Sequence, residues 1–406
     1  MAEMIELKEQ EERVILVAVS TGEDDDTAAS VDELEELAST AGAVTVGRVI
    51  QNRENVHPGT YLGKGKIEEV KELLWELDAT GIICDDELSP AQLKNLEDAL
   101  DTKVMDRTMV ILDIFASRAR TREGKIQVEL AQLRYRAVRL VGLRNSLSRL
   151  GGGIGTRGPG EKKLEVDRRL IHERIGQLKA ELRKKRENGG ALTAAIVGYT
   201  NAGKSTLLNR LTQAGILAED KLFATLDPTT RALTLPGGER VLLTDTVGFI
   251  RKLPHHLIEA FKSTLEEAKY SDVILHVVDC SNPQMDMQMH VVYETLRQLE
   301  ITDKEIVTVF NKIDREGADT AGRDMAADYR VKISAKTGEG LPDLLGVLET
   351  ILRSRRIYFE KVFSYAEAGR IQRIRKNGRL LSEEYKEDGI HVTAYVPVEL
   401  FEELYR

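Results

Sequence analysis

A chain of 406 residues, 42% hydrophobic and 31% charged, has room for about three ordinary domains and is not disordered wholesale. No apolar run approaches the roughly 20 residues that cross a bilayer, and the acidic opening MAEMIELKEQEER lacks a signal-peptide core, so a cytoplasmic protein is expected. Two cysteines, Cys84 and Cys280, exclude a zinc site by count and read as buried thiols.

In chain order, Arg13–Ser20 (RVILVAVS) reads as a strand, Val31–Thr40 as an amphipathic helix and Ala43–Ile50 as a strand. Lys66–Asp78 is a helix, Gly81–Cys84 a strand, Pro90–Leu100 a helix capped by Ser89, and Lys103–Asp106 a strand. Strands alternating with helices imply crossovers and a parallel sheet. Residues 1–112 are therefore expected to form a small parallel α/β domain.

From Thr108 the pattern turns helical, and Gln127–Leu150 and Glu161–Glu187 read as two long helices of a hairpin spanning 113–188. Between them, residues 151–160 hold six glycines and Pro159, which no helix tolerates, so they form a flexible tip. Net charge is −9, yet the stretch from Arg118 to Arg186 carries 20 Lys/Arg against 7 Asp/Glu. That asymmetry suggests a surface for a polyanion, with a solvated helix face as the plainer reading. Residues 189–355 have the rhythm of a doubly wound nucleotide-binding domain. Residues 356–406 read as a small α+β appendix, with strands at Arg356–Tyr365 and Gly389–Val396 and helices at Ala366–Lys376 and Pro397–Leu404.

The chemistry concentrates in the third segment. Ala191–Val197 is a buried strand that runs directly into Gly198-Tyr199-Thr200-Asn201-Ala202-Gly203-Lys204-Ser205 and then a helix. This is GxxxxGK[ST] in its required setting: backbone N–H groups curl around a β-phosphate and the helix start adds positive charge. Lys204 reaches the β- and γ-phosphates, and the Ser205 hydroxyl ligates Mg²⁺. Downstream, a strand ends in Asp245, which holds Mg²⁺, and Thr246, Val247 and Gly248 follow, with the Gly248 N–H facing the γ-phosphate. Lys204 and Gly248 are thus expected to act on the phosphate that is transferred.

The base is chosen by Asn311-Lys312-Ile313-Asp314 after the strand Glu305–Phe310. Asp314 accepts from both N1–H and the exocyclic amine of guanine, donors that adenine lacks on that edge. Lys312 lies along the purine face. Ser334-Ala335-Lys336 closes the site, with the Ala335 N–H reading guanine O6. The ligands are then GTP and GDP. The seven histidines are scattered without ligand spacing, which argues against a further catalytic cluster.

Four motifs in this order resemble the translation-factor-related branch of P-loop GTPases. That resemblance implies a threonine between the first helix and Asp245 on Mg²⁺ and the γ-phosphate. The loop Leu222–Arg231 offers Thr225, Thr229 and Thr230; Thr225 is favoured, Thr230 is its rival, and Phe223, Ala224, Thr225, Leu226 and Asp227 are expected at the nucleotide. Thr225 would join Lys204 and Gly248 in catalysis. Many members of that branch carry a glutamine after the DxxG glycine to orient water. Here the residue is Phe249, so slow hydrolysis without a partner is expected. Asn201 matches the form seen in potassium-stimulated members.

Over nearly the whole chain the sequence resembles the HflX GTPases. The features are Thr60–Glu69 (TYLGKGKIEE), the basic hairpin with GGGIGTRGPGE, and the core motifs GYTNAGKST, TLDPTTR and DTVGF. The resemblance implies a monomeric GTPase that binds the large ribosomal subunit and separates stalled or idle ribosomes, with ATP as a further ligand of the N-terminal domain. The hairpin is a plausible probe for a phosphate-lined RNA cavity. At Gly63-Lys64-Gly65-Lys66 a phosphate contact and a plain loop-to-helix turn are equally open. A GTP-gated switch acting on another RNA or protein is the alternative function.

Overall fold

The run Arg13–Ser20 forms β1, buried from Val14 to Val19. It lies between two parallel neighbours, β2 (Val44–Asn52) and β3 (Gly81–Cys84), so both of its edges are paired, and its continuous apolar run suits a strand whose two faces are covered by crossover helices. The computed structural model describes residues 11–22, 26–121, 124, 125, 128, 129, 131–133, 135, 192–212, 222, 223, 229–253, 268–319 and 322–405. The chain divides into two compact units: residues 1–171, 217–227 and 247–265, and residues 172–216, 228–246 and 266–406. Apart from the helical residues 128, 129, 131–133 and 135, the expected hairpin helices and their glycine tip lie outside the described residues.

In the first unit β4 (Lys103–Asp106) completes a parallel sheet in the order β2-β1-β3-β4. Helices α2 (Lys64–Glu76) and α3 (Pro90–Leu100) bury Ile67, Val70, Leu74, Leu96 and Leu100 against Ile15, Val17, Ile82 and Val104. Helix α1 (Thr27–Thr40) packs on β1 and β2 and against α4 (Arg107–Arg118). Ser89 caps α3 as expected: its Oγ accepts from the Gln92 N–H and Gln92 Oε1 accepts from the Ser89 N–H, with Pro90 in the first turn.

Charge gathers at the carboxyl end of β3. Arg107 is buried and its guanidinium donates to Asp85 at 2.8 Å and to Glu33, while the Ser30 hydroxyl donates to Asp85 at 2.8 Å. From the segment 247–265 of the same unit, Lys252 Nζ reaches Asp85 at 2.5 Å and Asp86 at 2.6 Å. The Tyr61 hydroxyl donates to Asp86 at 2.7 Å. Burial pushes the Asp85 carboxyl above its usual range, and Lys252 and Ser30 oppose that push.

The second unit holds a six-stranded sheet in the order β10-β9-β8-β5-β7-β6. Its strands are β5 (Leu192–Gly198), β6 (Thr229–Thr234), β7 (Arg240–Asp245), β8 (Val273–Asp279), β9 (Glu305–Asn311) and β10 (Tyr329–Lys332). All pair in parallel except β6, which runs antiparallel to β7 at the edge. Helices α5 (Lys204–Thr212), α6 (Met285–Gln298) and α7 (Leu341–Ser354) accompany this sheet, and Leu207, Leu208, Leu344, Leu348 and Ile351 close its core.

The C-terminal α+β part carries one strand more than the sequence suggests. The sheet is β11 (Arg356–Phe363), β13 (Gly389–Pro397) and β12 (Arg379–Lys386), antiparallel in that order. Helices α8 (Ala368–Asn377) and α9 (Val398–Tyr405) cover Phe359, Phe363, Val392 and Ala394. The extra strand, RLLSEEYK, is polar because it is an edge strand paired only to β13, and alternation is hidden by Ser382, Glu383, Glu384 and Lys386. β11 stops at Phe363 because Ser364 opens a 3₁₀ turn over Tyr365–Glu367.

Replacing Arg107 by Met removes the buried partner of Asp85 and Glu33 at constant bulk, at a cost of about 3 kcal/mol. Hydrogen exchange of the β1 and β3 amides should accelerate by about two orders of magnitude. Exchange within about threefold of wild type would show that Lys252 and Ser30 suffice for Asp85.

Candidate functional site

Strand β5 delivers the loop Tyr199–Gly203 to the start of α5, at the carboxyl edge of the sheet. The approach is tight. A Cβ on Gly198 would lie 2.3 Å from the Val277 carbonyl of β8, and one on Gly203, whose φ is +95°, would lie 2.3 Å from Asn311 Nδ2. Both glycines are therefore required by contact with neighbouring strands as well as by the turn. Asn201 also sits in the left-handed region, at φ +60°.

Lys204 is 6% exposed, and its Nζ donates to the carbonyls of Tyr199 at 2.8 Å and Gly198 at 3.2 Å. Burial lowers its pKa to about 8, with Asp245 opposing and Lys312 adding to the shift. A cation held against its own loop, in a place that disfavours charge, is poised for an anion. The next residue is Ser205, whose hydroxyl donates to Asp245 Oδ2 at 2.7 Å. Asp245 is fully buried at the end of β7, and the Thr246 hydroxyl donates to the Ile196 carbonyl at 2.8 Å. A hydroxyl and a carboxylate so placed are hard oxygen donors of the kind Mg²⁺ takes.

On the other side of the loop, β9 ends at Asn311, whose side chain uses both of its polar ends. Nδ2 donates to the Ala202 carbonyl at 2.8 Å, and Oδ1 accepts from the Ala335 N–H at 2.9 Å. The Ala335 N–H, expected at guanine O6, thus braces the loop here. Lys312, at φ +68°, sends Nζ to the Asn201 carbonyl at 2.7 Å and to Asp279 Oδ2 at 2.7 Å. The Ile313 N–H donates to the Ile333 carbonyl at 3.3 Å, and Ser334 is buried while Lys336 is exposed. Asp314 is exposed, and a hydrogen bond with Ser334 holds its carboxyl below the usual range.

The structure therefore brings together residues 198–205, Asp245, Thr246, 311–314 and 334–336. Sequence reading missed Asp279, although its signal was present in a carboxylate ending the apolar strand VILHVVD beside Asn311. Ala224, Thr225, Leu226 and Asp227 lie outside the described residues. Thr230, the rival to Thr225, is in β6, its hydroxyl 2.8 Å from that of Thr244. Phe223 is buried in the first unit, its ring edge-on to Phe115 at 4.7 Å. Val247, Gly248 and Phe249 belong to the first unit as well, and Phe249 is buried. The GKGK turn serves as a helix start: the Gly63 N–H donates to Gln51 Oε1 at 2.9 Å and Lys66 pairs with Glu69 at 2.6 Å. Among the described residues no group of three or more His, Cys, Asp or Glu could hold a metal.

Three family models match the chain: GTP-binding GTPase N-terminal over residues 28–116, GTP-binding GTPase Middle Region over 118–193, and 50S ribosome-binding GTPase over 193–312. Among similar proteins, a GTPase HflX of Lacrimispora saccharolytica is 75% identical over 100% of this chain and 98% of its own length. One from Caldanaerobacter subterraneus is 49% identical over 99% of this chain and 95% of its own. One from Escherichia coli is 43% identical over 83% and 82%.

Replacing Lys204 by Ala should cut GTP turnover by about a hundredfold or more, since a charge-assisted phosphate contact is worth roughly 1.5–3 kcal/mol before any gain in the transition state. The nucleotide-free melting temperature should not fall, because the buried ammonium is costly to the empty fold; a drop of many degrees would make it a structural lysine. Asp314→Asn should move preference from guanine to xanthine nucleotides by about tenfold or more, read by competition of XTP against GTP. An unaltered GTP preference would remove Asp314 as the base reader.

Proposed function

Because the chain belongs to the HflX family of GTPases, we propose that residues 198–205, 245–248 and 311–314 bind GTP and catalyse its hydrolysis to GDP and phosphate. The observation that carries this reading is the pair of hydrogen bonds from Asn311 and Lys312 to the Ala202 and Asn201 carbonyls. They tie the base-reading segment to the phosphate loop, so one nucleotide spans both. Lys204 takes the β- and γ-phosphates, and Asp314 accepts from guanine. Ser205 and Asp245, with Thr225 from the switch loop, hold Mg²⁺. The ion, when bound, supplies charge neutralisation at the phosphates. Asn201 is the residue through which potassium would act.

Phe249, apolar and buried, offers no group to orient water, so the free protein turns over slowly and a partner completes the site. That partner is the large ribosomal subunit, met by the basic stretch 118–186, and binding in the GTP state separates stalled or idle ribosomes. Support comes from its 20 Lys/Arg against 7 Asp/Glu and from the match to the 50S ribosome-binding GTPase model.

Cosedimentation with large subunits should be strong with a nonhydrolysable GTP analogue, weak with GDP, and steeply salt-dependent through counterion release. Reversing the charge of Arg157, Lys162 and Lys163, which lie outside the described residues, should abolish the ribosome-stimulated increment in turnover. Equal stimulation of both proteins would take the hairpin off the ribosome-binding surface. Absence of nucleotide-dependent cosedimentation would favour a switch on another RNA or protein.

A further inference from the structure

Asp279 is the last residue of β8 and stands in register with Asn311, the last residue of β9. Both strand ends thus reach the same level, and the residue after Asn311 is Lys312. The Asp279 carboxylate is divided between two tasks. Oδ1 accepts from the Ser281 N–H at 3.0 Å and the Ser281 hydroxyl at 2.6 Å, while Oδ2 accepts from Lys312 Nζ at 2.7 Å. One oxygen is therefore pinned by the turn that follows β8, and the other is fixed in direction as a result. The same ammonium donates to the Asn201 carbonyl at 2.7 Å. The lysine side chain is 13% exposed and the aspartate side chain 11%.

We propose that Asp279 is a positioning residue for nucleotide binding: it holds the Lys312 ammonium against the phosphate loop, so that the lysine stem is laid out for the purine face before the nucleotide arrives. The inference rests on the nucleotide reading above and deepens it. A lysine side chain free in solution samples many rotamers, and ordering it on binding weakens affinity. In this structure the ordering is already made by a carboxylate that reaches neither base nor phosphate in the proposed role. Two consequences distinguish the role from base reading. Asp279 acts through the purine face, so it does not discriminate between bases that differ only in the exocyclic amine. It also acts equally on substrate and product, so it changes KM and leaves kcat alone.

The test is Asp279→Asn, which is nearly isosteric and keeps an acceptor for Ser281. Titration of the full chain with GDP and with IDP should show both weakened by about tenfold, and by the same factor, the order expected for rotamer freedom regained by Lys312. Steady-state turnover should show KM for GTP raised by a similar factor with kcat within about twofold. In a Lys312→Met background, adding Asp279→Asn should have no further effect on GDP affinity. This double variant leaves no buried unpaired charge, so it stays informative if the single variant folds poorly. Affinities equal to wild type, losses that add in the double variant, or a loss for GDP much larger than for IDP would each overturn the positioning role. A wild-type chain that binds no GDP in the same titration would overturn the nucleotide reading, and this one with it.

Discussion

The side-chain amide of Asn311 is the joint on which the nucleotide site depends. One buried group donates to the phosphate loop at Ala202 and accepts from the loop after β10 at Ala335, while the backbone carbonyl of the same residue receives the Cys280 N–H at 3.1 Å. Only an amide can do this, since a carboxylate would set a charge against the Ala202 carbonyl and an apolar residue would strand two buried polar groups. The requirement for glycine at 203 follows from the same joint, because Nδ2 occupies the space a Cβ would need.

Around that joint the charges are arranged as a sequence of debts and partners. Lys204 is desolvated and turned onto backbone carbonyls, a placement that disfavours its charge and that the phosphate of the proposed nucleotide would relieve. Lys312 is settled by Asp279 and a carbonyl, so its cost is met within the protein. In the first unit Arg107 and Lys252 are likewise matched to Asp85, Asp86 and Glu33. The two lysines therefore differ in kind: Lys204 donates to carbonyls of its own loop, whereas Lys312 is also paired with a carboxylate.

Much of this was legible beforehand, for identifiable reasons. The P-loop could be read because glycine, lysine and serine at fixed spacing between a strand and a helix have few other uses. The cap at Ser89 was equally plain, since Ser-Pro-x-Gln is a local signal. Strand β12 escaped because an edge strand needs no apolar face and carries charge to discourage pairing. The partnership of Asp279 with Lys312 escaped because it is made between neighbouring strands whose residues are 33 positions apart. The tie between the Ala335 N–H and Asn311 escaped for the same reason, since that contact appears only once β9 and β10 are set side by side.

The two thiols have a practical consequence. Cys84 is sealed in β3, where burial and the nearby carboxylates push its pKa well up. Cys280 is buried with Sγ donating to the Asn311 carbonyl at 2.9 Å, and burial raises its pKa too. Thiolate is the reactive form, so neither residue competes for an electrophilic reagent at neutral pH. A cysteine introduced on the surface would accordingly be the one position that accepts a maleimide dye or spin label, and the natural chain is already a labelling background for distance measurements between its units.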